Sequence, residues 1–148
     1  MASAQPAGRA RGWPWWVAVV GAASFLGLGL WAMVDPESFF DQIATFKPYN
    51  QHFVQDIGAF NIGLGAVLLL ALVPARPDAL AVALVGTGIG AGAHVVSHLV
   101  GHDLGGRPES DIPLFTATAV LLLAAGLVQW RRAATSDSTI RTGSASRR

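Results

Sequence analysis

The chain has 148 residues, 52% of them hydrophobic and 13% charged, with a mean hydropathy of +0.46, which is too apolar for a soluble domain of this size and reads as an integral membrane protein. A net charge of +1, with no basic stripe interleaved with aromatics, points to no nucleic-acid partner. The absence of cysteine excludes disulfides, thiolate catalysis and Cys-ligated metal or iron–sulfur centres.

Residues 1–12 are small and polar with Arg9 and Arg11, and are expected to be disordered. From Trp13 to Val34 there is no charge. At 1.5 Å per residue this run crosses a hydrocarbon core of about 30 Å, so 13–34 is the first transmembrane helix. It is longer than the apolar region of a cleaved signal peptide, about 7–15 residues. Next, Asp35 stands as an N-cap with Pro36 at the first helical position, and Phe39, Phe40, Ile43 and Phe46 fall close to one face. That pattern predicts a short interfacial helix or a connector whose aromatics cap the bundle. Asn50 caps a second span over 51–73, whose first turns carry His52, Asp56 and Asn61. The tight turn from Pro74 to Asp78 makes the third span, 79–101, its antiparallel neighbour. A polar loop from Asp103 to Asp111 leads to the fourth span, 112–130, and residues 131–148 read as a disordered basic tail. The fold class is all-α: an antiparallel bundle of four transmembrane helices over 13–130, with a short interfacial helix between the first two.

Charge gives the orientation. With both termini cytoplasmic, Arg9, Arg11, Arg76, Arg131, Arg132, Arg141, Arg147 and Arg148 lie inside, eight of the ten basic residues. Lys47 and Arg107 lie outside, among seven of the nine carboxylates. Trp13, Trp15, Trp16 and Trp130 form an inner belt and Trp31 marks the outer edge, as expected of a plasma-membrane protein.

This topology brings all four histidines to the outer half. His52 starts the second span, while His94, His98 and His102 end the third and share one helical stripe with Gly86 and Gly90. Ionisable groups facing lipid cost about 2.5–3.5 kcal/mol near the bilayer centre, so Asp56 is expected to meet His94 or His98 in the bundle interior. Three readings are open. One is a polar lock that fixes helix register. Another is a metal or haem site on His52, Asp56, His94 and His98, since histidines at i, i+4 can share a metal ion. The last is a site for a quinone, a lipid head group or a proton relay. The residues Val95, Val96 and Ser97 between the histidines lack the glutamate of a zincin, so metalloprotease chemistry is not indicated.

Gly86, Gly88, Gly90 and Gly92 form two overlapping Gly-x-x-x-Gly patterns, expected to pack against the second span at Ala59, Gly63 or Ala66, or else to form a dimer face.

The runs Trp31-Ala-Met-Val-Asp-Pro-Glu-Ser-Phe-Phe40, Tyr49-Asn-Gln-His-Phe-Val-Gln-Asp-Ile-Gly-Ala-Phe60, His94-Val-Val-Ser-His98 and Asp103-Leu-Gly-Gly106 together resemble a group of small actinobacterial, DoxX-like membrane proteins. The resemblance covers about residues 13–130. It implies a four-helix transmembrane bundle and, for some relatives, a link to quinone redox chemistry, but no catalytic residues. The functional expectation is a redox-associated membrane protein that binds a metal, haem or quinone at the His/Asp cluster. The alternative is a non-enzymatic scaffold or partner subunit of a membrane complex. The chain is also similar in size to small multidrug-resistance transporters, but its first span lacks their essential acidic residue.

Overall fold

Five helices are present in the computed structural model, which describes residues 11–72 and 77–145, the side chains of residues 77 and 136–145 excepted. They are α1 (Trp13–Val34), α2 (Pro36–Gln42), α3 (Gln51–Leu72), α4 (Pro77–Val100) and α5 (Pro108–Ala145), and no strand occurs among the described residues. Four of them, α1, α3, α4 and α5, are long and apolar enough to cross a membrane. The chain is therefore a multi-pass membrane protein of all-α class. Its large exposed apolar side chains, among them Val20, Phe60, Leu70, Ile89 and Val34, suit contact with lipid.

The helix ends follow from local chemistry. Asp35 closes α1 through its N–H to the Trp31 carbonyl (2.9 Å) and opens α2 by accepting from the Ser38 N–H (3.2 Å). Asn50 caps α3 by accepting from the Phe53 N–H (3.1 Å). Two spans begin earlier than expected, at Pro77 and at Pro108, because proline suits the first helical turn, where its missing N–H is not needed. In α5 the Asp111 carboxylate reaches back to the Arg107 N–H (3.0 Å), satisfying a donor the helix leaves open. At its other end α5 runs past Trp130 to Ala145, where the sequence suggests a disordered tail. Arg131, Arg132, Ala133 and Ala134 are good helix formers and carry the helix on. Residues 1–10, 73–76 and 146–148 lie outside the described residues, and with them most of the expected N-terminal tail.

The helices pair as two antiparallel hairpins, α1 with α3 and α4 with α5. The α3–α4 contact is slighter, so these consecutive spans are not the close neighbours that their short connection predicts. Glycine explains the choice. In the first hairpin, Gly29 and Gly58 face each other so closely that a Cβ on either would lie within 2.9 Å of the other's carbonyl oxygen. Gly65 lets α3 approach Ala22 and Leu26. In the second hairpin Gly88 packs on Leu123 and Gly126 on Val85. These small residues allow backbones to approach, the main source of helix association where lipid is as apolar as the side chains.

Of the four glycines expected to pack against the second span, Gly88 alone is packed tightly, and its partner is α5. Gly86, Gly90 and Gly92, like Gly63, have no described atom within 4 Å of where a Cβ would stand. At 100° per residue, Gly86 and Gly90 lie about 160° from Gly88, so one crossing cannot use both sets.

The two hairpins share a core in the half of the bundle nearest the N-terminal end of α1. Ala18, Ala22, Leu68, Ala71, Leu80, Ala83, Leu84, Leu122 and Ala125 are buried together there. Toward the α2 side, a separate cluster of Ala32, Phe39, Phe40 and Val54 joins α1, α2 and α3. Loops bridge the hairpins on that side. The Arg107 guanidinium donates to the Gln42 carbonyl at the end of α2 (2.7 Å), and Gly105 and Gly106 lie against Thr45 and Phe46. Both glycines have positive φ (133° and 77°), a conformation side chains disfavour, which turns the α4–α5 loop back onto that contact.

Candidate functional site

The four histidines fall into separate groups. His52 and Asp56 sit one turn apart on α3 and pair with each other (Nε2 to Oδ2, 3.6 Å), with 87% and 53% of their side chains exposed. When the imidazole carries a proton on both nitrogens, an i, i+4 pair this open to solvent is worth a few tenths of a kcal/mol, about 0.3–0.5. His102, past the end of α4, donates from Nδ1 to the Leu99 carbonyl (3.1 Å) and is exposed. Asn61 turns to its own helix, donating to the Ile57 carbonyl (2.8 Å).

His94 and His98 form a different arrangement. Spaced one turn apart on α4, their rings meet edge to face with centroids 4.7 Å apart. Phe115 of α5 packs against both, at 4.7 Å from His94 and 4.8 Å from His98. Phe46, from the segment after α2, meets His98 at 5.7 Å. Edge-to-face contact suits these rings because an electropositive edge meets an electron-rich face, for about 0.5–1.5 kcal/mol per aromatic pair beyond simple burial. His98, Phe115 and Phe46 are half-buried and His94 is more open. Among the described residues no hydrogen bond engages the ring nitrogens of either histidine. Each neutral imidazole therefore retains one N–H donor and one acceptor.

The expected contact of Asp56 with His94 or His98 does not form: Asp56 turns along α3 to His52 instead. The reason is the pairing of α4 with α5, which turns the inner face of the His stripe toward Phe115. Among the described residues no three His, Asp or Glu side chains gather where they could hold one metal ion, so His52, Asp56, His94 and His98 do not make a four-ligand set. Nor do His94 and His98 suit a bis-histidine haem, which needs imidazoles on opposite faces of the ring, whereas these stand side by side on one helix.

Phe115 is a site residue that the sequence reading passes over, and Phe46 is one that it places only among aromatics capping the bundle, not beside a histidine. Depth along the helix could have found Phe115: it lies seven residues into α5, about 10 Å, and His94 lies six residues before the end of α4, about 9 Å. Phe46 carries no such signal, since its place depends on the path of an irregular segment. No protein-family model, curated protein or solved structure matches the chain.

Proposed function

We propose that this is a small plasma-membrane protein of DoxX-like type, with both termini cytoplasmic. In this reading the His94–His98 box on its outer side binds the ring headgroup of a quinone-class compound dissolved in the membrane. The observation that carries the reading is two imidazoles with unengaged nitrogens set against a wall of phenyl rings. A quinone offers what such a box takes: a flat ring for the aromatic faces and carbonyl oxygens for imidazole N–H donors. It reaches the site from the bilayer, since His94 is open at the bundle surface. The basic residues gathered toward the termini and the carboxylates toward the α2 side support the orientation.

The test is a titration of full-length protein in lipid nanodiscs with the short-chain analogue decylubiquinone. Saturable binding is expected, weakened about fivefold by His94→Ala or His98→Ala, the value of one neutral hydrogen bond of about 1 kcal/mol. His52→Ala is expected to bind as wild type. No saturable binding by wild type would refute the reading.

A second reading has its own support. Phe46 on His98 and Arg107 on Gln42 tie the two hairpins together, so the box also suits a polar clasp without a ligand. That reading predicts that His98→Ala lowers stability while wild type binds no quinone.

A further inference from the structure

On the opposite side of the bundle a groove of about 460 Å³ opens between α1 and α3, lined by Trp15, Val19, Ala23 and Leu26 of α1 and by Leu69 and Leu72 of α3. These α1 residues recur at helical spacing along one face, and Ala23, with Ala22 beside it in the lining, is small enough to leave the hollow. Among these lining side chains the one polar group is the Trp15 indole N–H. From Trp15 to Leu26 the groove runs eleven residues, about 16 Å, which matches the hydrocarbon depth of one leaflet, about 15 Å.

A cation stands at the mouth: the Arg11 guanidinium lies 4.5 Å over the ring of Trp15, which lines the groove. The first turn of α1 has no side-chain cap at Gly12, so its positive end adds to that charge. Tryptophan at this level is where an acyl chain meets its headgroup. We infer that the groove is a binding site for one anionic phospholipid, with an acyl chain along Val19, Ala23 and Leu26 and the phosphate at Arg11. Charge complementarity and the match in depth select this occupant. Arginine suits the phosphate because its planar fork donates two parallel hydrogen bonds.

The experiment is native mass spectrometry of the full chain, titrated with palmitoyl-oleoyl phosphatidylglycerol or with phosphatidylcholine of the same acyl chains. Wild type is expected to retain one phosphatidylglycerol with about tenfold preference. Arg11→Gln brings that preference close to unity while phosphatidylcholine retention stays as it was. Ala23→Leu fills the hollow and lowers retention of both lipids at least fivefold, whereas Ala124→Leu, on an exposed face of α5, changes neither. Equal retention of the two lipids by wild type would overturn the proposal. So would unchanged retention in a folded Ala23→Leu protein, or a lipid-free dimer that Ala23→Leu dissociates. If Ala23→Leu fails to fold, the Arg11→Gln arm decides.

Discussion

Thr87 is 2% exposed, and its hydroxyl has no hydrogen-bond partner among the described residues. Leaving such a group unpaired costs about 1–3 kcal/mol, so Thr87→Val, which keeps the shape and removes the hydroxyl, is expected to stabilise the bundle by about 1 kcal/mol. Unfolding of the detergent-solubilised protein by SDS measures this, and a loss of stability would show that the hydroxyl is paired. Tyr49 offers a second test at this scale, because it is the chain's one tyrosine. Its phenol is raised above the ordinary value of 10.0 by partial burial and then by the negative charges of Glu37, Asp35 and Asp41. A raised value means the folded state holds the proton more tightly. The stability it confers is present below the unfolded phenol value and is lost as pH rises through the folded one. Ultraviolet titration should place the midpoint above 10.0, and Glu37→Gln should lower it. At this scale the sequence is partly legible. Asp35 and Asn50 declare themselves as caps by residue type and position, and both act as such. The partner of Asp56 is not legible, because it depends on which helices pair.

At the scale of the element, spans are legible and pairings are not. Trp13–Val34 emerges with the expected bounds because uninterrupted apolarity is a property of the segment alone. Which glycine meets a neighbour depends on helix rotation about the axis, which a sequence periodicity leaves open. The Gly86 and Gly90 pattern is the more conspicuous, yet the close crossings use Gly29, Gly58, Gly65, Gly88 and Gly126. Substitution separates the two sets. Gly58→Ala puts a methyl against the Gly29 backbone and is expected to destabilise by about 1–3 kcal/mol. Gly90→Ala has open space and gains helix propensity, an expected stabilisation of up to about 1 kcal/mol. The same SDS unfolding assay reads both; equal losses would contradict the crossings described.

At the scale of the molecule, two hairpins share a core toward the termini and are bridged by loops on the α2 side. The cysteine-free chain makes orientation easy to test. A single cysteine replacing Ser110 is expected to react with a membrane-impermeant maleimide in intact cells, and one replacing Thr135 only after lysis. The reverse pattern would invert the topology and put the His94–His98 box on the cytoplasmic side. Depth along the helices correctly assigns the histidines to one side of the bundle, but their division into two groups follows from α4 pairing with α5. That division carries the functional reading, and nitrogen NMR of histidine-labelled protein in nanodiscs tests it most directly. On addition of decylubiquinone, the imidazole signals of His94 and His98 should shift together while those of His52 and His102 stay in place. Four signals that all move, or none that does, would contradict the account.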